Sequence, residues 1–331
     1  MPNWLGDIVM ATSALEALHR AGMYQMHLLV RPPYDDLFRS DPRISEVIAL
    51  DDRGRGLLRA ASLLRARAFR QAVDFTHSLR SRILWSLGAI SKVYRDPAVS
   101  APAFSASTLD RSHQLLRYIA VIRDLVDSNP SPIWPPAIFL PEPSANPAPP
   151  EDEVLIFPAA AYGPAKQWSI GRYIEMIRRL ADLGWPVRLL GAASDRGFLE
   201  QIVRACEVES VRSPAISADL GLVDLAGRIR HARVVITCDS GPAHLSAALG
   251  RPTLVLFFST DPSRTVPVGY AVRPVVAPVP CRPCFLRSYP IGYLCRDSIA
   301  VDLVMHEIED LLDMPPGSVA SGRPPSIHTY I

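Results

Sequence analysis

Short apolar runs and longer stretches with apolar residues three or four apart take turns along this chain, and the change from one to the other is sharpest in its second half. Val234-Val235-Ile236-Thr237-Cys238 is an apolar strand pattern that stops at Asp239-Ser240-Gly241-Pro242-Ala243-His244. A short helical pattern then runs to Gly250, and a second apolar run covers 253–258. This is a βαβ unit with its polar residues at the C-terminal end of a strand. At that edge of an open α/β sheet a helix start offers N–H groups and the positive end of its dipole, so an anion, above all a phosphate, is the expected guest. Pro242 suits a first helical turn, where its missing N–H costs nothing, and Gly241 lets a ligand approach the backbone.

The same alternation organises the rest. The chain opens Pro2-Asn3-Trp4-Leu5-Gly6-Asp7 and passes at once into a helical pattern over 8–19, with Gly22 as its stop. Residues 25–30, 47–50 and 72–76 read as strands, with helical stretches near 33–38 and 56–69 between them. No strand precedes the opening glycine loop, although such a loop normally follows one. From 109 to 127 the apolar residues Leu115, Ile119, Ile122 and Val126 recur at helical spacing. Farther on, 154–157 and 187–190 read as strands. Ser169 caps a helix to about 183, residues 223–231 are helical, and 301–312 form a last amphipathic helix. Alternating strands and helices imply a parallel sheet covered on both faces. The loops holding Lys166, Asp195 and Asp239 should then gather on one edge of a single sheet.

Nine prolines between Asn129 and Pro150 interrupt this pattern and are too many for helix or central strand. They divide the chain into an N-terminal domain 1–128, a linker 129–150 and a C-terminal domain 151–313. The tail 314–331, rich in Pro, Gly and Ser, is expected to be disordered. At 331 residues and 48% hydrophobic composition the chain can fill two cores. A formal net charge of +2 does not suggest a general nucleic-acid binder. With no run of eighteen apolar residues and no leader-like start, a soluble cytoplasmic protein without a transmembrane segment is expected, contact with a membrane surface staying open. Five cysteines fit reduced thiols better than a disulfide framework. Of 35 basic residues only Lys92 and Lys166 are lysines, which draws attention to Lys166.

Pro2-Asn3-Trp4-Leu5-Gly6-Asp7-Ile8-Val9-Met10, Gly163-Pro164-Ala165-Lys166-Gln167-Trp168 and Asp239-Ser240-Gly241-Pro242-Ala243-His244, with His113 and Arg117-Tyr118-Ile119, resemble glycosyltransferase family 9. Within it they look most like ADP-heptose:lipopolysaccharide heptosyltransferases of the type II kind. The resemblance implies a GT-B fold, two Rossmann-like domains facing across a cleft. It also implies an inverting, metal-independent transfer of heptose from ADP-heptose to the lipid A–core acceptor at the inner membrane surface, with no cofactor required. Asp7 matches the family's proposed general base, placed to take the acceptor proton. Lys166 matches its diphosphate-binding lysine and, with the N–H groups of Ser240–Ala243, would steady the charge growing on ADP. Asp239 matches the residue for donor sugar hydroxyls, Ser240 and Gly241 lie against the diphosphate, His244 could reach phosphate or sugar, and Asp195 matches an acidic contact to the ribose.

Set against these roles, Asp7, Asp195 and Asp239 are each read equally simply as helix-start acids, Lys166 as a solvated lysine and His244 as a structural histidine. Arg80 and Arg82, after the loop His77-Ser78-Leu79, are the candidates for an acidic acceptor. Ala160, Ala161 and Tyr162 stand where relatives often carry hydroxyl residues. Cys281-x-x-Cys284 with Cys295 has the start of a metal-site spacing, but Tyr289 occupies the place of a further cysteine, so reduced thiols are expected. Family members begin with a strand ahead of the Asn-Trp-Leu-Gly-Asp loop, and Met1 sits where that strand would end. The expectation is an N-terminal domain lacking its first strand, with two exposed strand edges, an unanchored Asp7, and poor stability or low activity. Two other readings stay open: a family-9-like transferase with another sugar nucleotide or acceptor, such as a protein or a secondary metabolite, and a non-catalytic sugar-nucleotide-binding protein.

Overall fold

The computed structural model describes residues 1–23, 25–50, 56–76, 78–95, 113–126, 133–141, 152–289, 292 and 294–314. The chain divides into two compact α/β units between Pro141 and Glu142. Of the stretch expected as linker, 133–141 is described, and it is tied to the first unit. The Ala137 N–H donates to Thr12 Oγ1 at 3.0 Å and the Ser13 hydroxyl to the Trp134 carbonyl. Buried Arg43 reaches the Ala137 carbonyl at 3.1 Å while pairing with Asp41 at 2.6 Å. The remainder of 129–150, and the tail from 315, lie outside the described residues.

The first unit is built around α1 (Leu5–Arg20), of whose sixteen residues eleven are buried. A helix so apolar around its circumference belongs inside a core. It ends at Gly22, whose φ of 88° lets the Gly22 and Met23 N–H groups turn back to the His19 and Leu18 carbonyls. There follow β1 (Met26–Val30), a 3-10 turn (Tyr34–Phe38), β2 (Ile44–Ala49), α2 (Gly56–Ala66) and β3 (Gln71–Val73). After them come α3 (Leu79–Leu87), β4 (Lys92–Tyr94) and α4 (Gln114–Val121), the last capped by the His113 side chain. β1 pairs with β2 and β3 with β4, both in parallel, but as two separate sheets.

Among the described residues no ladder joins the β1–β2 pair to the β3–β4 pair, and a gap separates them. A cavity of about 810 Å³ lies there, lined by Leu28 and Val30 of β1, Ala72 and Val73 of β3, and Leu15 and Leu18 of α1. At its mouth the Met1 ammonium donates to the Leu29 carbonyl at 2.8 Å. Burial pushes this amine down from 8.0 to about 6, against the opposing pull of the Asp74 carboxylate. Below pH 6 the amine is charged whether the chain is folded or not, and the folded state carries the full burial penalty. Between 6 and 8 only the unfolded chain holds the proton, so stability rises with pH, by roughly 2–3 kcal/mol for such a shift. Adding five apolar residues ahead of Met1 converts the amine to a peptide N–H and brings apolar side chains to the cavity. The extended chain is expected to unfold at higher urea and to lack this pH 6–8 rise; identical midpoints and profiles for the two chains would sink that expectation.

The second unit is a single six-stranded parallel sheet. Its elements are β5 (Val154–Phe157), a 3-10 turn (Pro164–Lys166), α5 (Ile170–Asp182), β6 (Val187–Gly191), a 3-10 turn (Ala193–Asp195), α6 (Arg196–Val208) and β7 (Ala215–Ala218). Then follow α7 (Leu222–His231), β8 (Val234–Cys238), α8 (Gly241–Ala248), β9 (Thr253–Phe257), the single turn α9 (Pro262–Thr265), β10 (Val272–Val276) and α10 (Val301–Leu312). The strand order is β10-β9-β8-β5-β6-β7, and every pairing is parallel. β5, β8 and β9 are buried along their whole length, as strands covered on both faces must be. Leu254 and Leu256 of β9 enter the core under α5, α6 and α10, whereas Val255 and Phe257 pack with Ala243 and Ala247 of α8 on the other face. The chain order reverses between β5 and β8, and a crevice at that switch point is where open α/β sheets take ligands. Among the described residues no helix is long and apolar enough to cross a membrane.

Candidate functional site

The loops after β5 and β8 meet at this switch point. Lys166 closes the 3-10 turn after β5 and is only 8% exposed. Its ammonium donates to the Asp239 carboxylate Oδ2 at 2.5 Å and to the Asp239 carbonyl at 2.9 Å. Asp239, 4% exposed at the end of β8, also accepts Thr260 Oγ1 at 2.7 Å on Oδ2 and Thr265 Oγ1 at 3.3 Å on Oδ1. The carboxylate is thus held on both oxygens by its own chain. This makes it a clamp that fixes Lys166 and reduces what it can offer a sugar hydroxyl. Tyr162 completes the setting, its ring centroid 4.6 Å from the Lys166 ammonium.

Thr260, Thr265 and Tyr162 were not identified from the sequence as members of this cluster. Thr260 lies just past the C-terminal end of β9, next to β8 in the sheet, and a hydroxyl at that edge was the available signal.

The turn bearing Lys166 depends on Gly163, whose φ is 143°. A Cβ there would collide with the Arg287 carbonyl oxygen. Gly163→Ala is expected to cost about 1–3 kcal/mol through forced left-handed backbone and to displace the Lys166 turn. Urea unfolding with nucleotide binding measures both, and wild-type values for the two would refute the role of the close approach.

At the start of α8 the expectation that the N–H groups of Ser240–Ala243 all face an anion needs correcting. Pro242 has none, and the Ala243 N–H donates to the Ser240 carbonyl at 3.1 Å, so Ser240 and Gly241 are the two that can serve. Ala243 itself is core, packed on Val255 and Phe257. The Ser240 hydroxyl pairs with Thr237 Oγ1 at 3.1 Å. His244 is buried one turn into the helix. Asp195 follows β6, the other neighbour of β5, and its carboxylate accepts the Ala192 N–H at 2.9 Å, capping its own turn.

In the first unit Asp7 lies in the first turn of α1 and accepts the Tyr118 O–H on Oδ1 at 2.9 Å. Burial, reinforced by the Asp7 charge, pushes the Tyr118 phenol well above its usual value, so it stays a donor at neutral pH. Asp7 is therefore anchored, by α4 rather than by a strand, because α1 and α4 pack together in the core. Arg80 and Arg82 come after the end of β3 as expected, but Leu79 is already the first residue of α3. They stand exposed in the first turn of α3, which Ser78 caps by accepting the Ser81 N–H at 3.0 Å.

Cys284 and Cys295 share the Tyr289 hydroxyl, at 2.9 and 3.5 Å, while Cys281 is exposed. Burial raises the Cys295 thiol. Among the described residues no group of three His, Cys, Asp or Glu side chains is placed to hold a metal ion.

The model of a family described as glycosyltransferase family 9 (heptosyltransferase) matches residues 57–293. Lipopolysaccharide heptosyltransferase 2 of Escherichia coli (strain K12) is 32% identical over 117 residues, 35% of this chain, and the aligned part spans 34% of that protein. Lipooligosaccharide heptosyltransferase 2 of Campylobacter jejuni (serotype O:6) is 22% identical over 323 residues, covering 94% of this chain and 97% of the relative. The solved structure of E. coli ADP-heptose lipopolysaccharide heptosyltransferase II superposes with a TM-score of 0.74 at 23% identity, over 94% of this chain and 96% of that one. The likeness is one of fold: two Rossmann-like units in the GT-B class.

Proposed function

This chain belongs to glycosyltransferase family 9, and from that premise we propose that it transfers heptose from ADP-heptose to a hydroxyl of the lipopolysaccharide inner core with inversion. The observation that carries the reading is the Lys166–Asp239 pair, a buried, rigidly held ammonium at the switch point of the nucleotide-type sheet. In the reaction the acceptor oxygen forms a bond to the anomeric carbon while the bond from that carbon to the ADP oxygen breaks. Negative charge grows on the leaving diphosphate. A cation fixed beforehand stabilises that charge without reorganising, and the Ser240 and Gly241 N–H groups at the start of α8 add to it. No metal is required by this scheme.

The proton of the acceptor hydroxyl goes to Asp7, whose carboxylate the Tyr118 hydroxyl orients through Oδ1. Asp195 is the proposed ribose contact and His244 a proposed neighbour of phosphate or sugar. Arg80 and Arg82, exposed on α3, are proposed to meet an anionic acceptor.

The test is turnover of ADP-heptose with a heptose-deficient lipopolysaccharide, following ADP release and reading the product's anomeric configuration by NMR. ADP release with an inverted linkage is the expected result. Binding of ADP without turnover would assign the chain to sugar-nucleotide binding alone, and turnover with a different sugar nucleotide would move the donor assignment.

A further inference from the structure

Lys166 carries a positive charge, but Asp239 cancels it within 2.5 Å. A neutral pair attracts a diphosphate weakly, so the net charge that draws an anion to this edge has to come from elsewhere. Among nearby cations, Arg282 is spent on the backbone: its guanidinium donates to the Phe258 and Thr260 carbonyls, both at 2.6 Å. Arg287 is different. It is exposed, and among the described residues it forms no ion pair. Its guanidinium carbon lies 5.1 Å from the centroid of the Tyr162 ring, the same ring that the Lys166 ammonium approaches at 4.6 Å.

The backbone explains why Arg287 is held there. Its carbonyl accepts the Ala165 N–H at 3.0 Å, next to Lys166 in the turn. The Tyr162 hydroxyl donates to the Phe285 carbonyl, tying the ring to the same segment. Gly163 permits the close approach of the Arg287 carbonyl. The two segments are thus joined through the Phe285 and Arg287 carbonyls, and the guanidinium meets the other segment only as a cation over the Tyr162 ring, with its N–H groups facing no described acceptor. Arginine suits such a place, because its planar fork can stack on an aromatic ring and still donate to phosphate oxygens.

Resting on the nucleotide-sugar reading of the Lys166 site, we propose that Arg287 is a second diphosphate-binding cation and supplies the net positive charge of that site. Lys166 fixes one part of the diphosphate; Arg287 attracts the anion and holds another.

Titration calorimetry of the full chain with ADP, and with adenosine as the uncharged probe, tests this. Arg287→Gln is expected to weaken ADP by about tenfold or more, the loss of a charge-assisted hydrogen bond. It should leave adenosine unchanged and flatten the salt dependence of ADP binding. Arg287→Lys should recover part of the affinity, because it restores charge without the fork. Because the hydrogen bond to the Lys166 turn is made by the Arg287 carbonyl, which the substitution keeps, the urea midpoint should move little. Equal ADP affinity in wild type and Arg287→Gln overturns the proposal, and so does an equal loss of ADP and adenosine, which marks a structural role. A wild-type chain without ADP affinity overturns the underlying nucleotide reading and this role with it, so the two failures are told apart by the wild type.

Discussion

Lys166→Ala is expected to lower turnover by about 10²–10³, the cost of removing a fixed group that stabilises developing charge. It should also destabilise the second unit by about 3–5 kcal/mol, because Asp239 is left buried without its cation. The two effects separate in the double variant Lys166→Ala with Asp239→Ala. Removing both charges restores much of the stability, since Thr260 and Thr265 lose only a hydrogen-bond acceptor, whereas turnover stays low. Urea unfolding and steady-state rates on the four members of this cycle measure both quantities. Recovery of turnover together with stability would show that Lys166 serves the fold alone.

Asp7→Asn should reduce turnover by roughly 10²–10⁴, the range for a positioned base, with ADP affinity and the unfolding midpoint close to wild type. The amide preserves the shape and still accepts the Tyr118 hydroxyl, so the change isolates the lost proton acceptor. Tyr118→Phe is the companion variant. It leaves the carboxylate but removes the bond that orients it, and it should slow turnover by less than Asp7→Asn. Undiminished turnover in Asp7→Asn would remove the base assignment, whatever Tyr118→Phe does.

Much of this architecture was legible from local pattern, and the misses share a cause. β5, β8 and β9 announce themselves as unbroken apolar runs because both of their faces are buried. The strands not foreseen, β4, β7 and β10, are all at sheet edges. Lys92–Tyr94 is only three residues long, Ala215–Ala218 has one β-branched residue, and Val272–Val276 contains Pro274, which an edge tolerates and a central strand does not. Helix α3 was hidden for a related reason: only Ser81 and Leu84 are buried, so it has no apolar stripe to read.

The site divides in the same way. Lys166 and Asp239 stand in motifs with chemical meaning at their own positions. Thr260 and Thr265 reach Asp239 from 21 and 26 residues away, and Tyr118 reaches Asp7 from 111 away. Contacts of that kind are created by sheet order and helix packing, and no local spacing encodes them.

The split sheet of the first unit sets how that unit holds together as a folding body. In the second unit each strand is hydrogen-bonded into one sheet, so opening a central strand breaks the pairing of its neighbours. Among the described residues of the first unit no ladder joins the β1–β2 pair to the β3–β4 pair, and helix and side-chain packing couples them. Two-stranded pairs are marginal by themselves. The β3–β4 half is therefore a block held to β1–β2 by side-chain packing and by no strand hydrogen bond among the described residues. Asp7 is held mainly from outside that block: its partner Tyr118 is on α4, which packs against α1, while the Tyr118 ring also meets Phe75 just past β3. The carboxylate assigned to the chemistry thus rides on a helix pair, and the β3 end reaches it through one ring contact, with no strand hydrogen bond between.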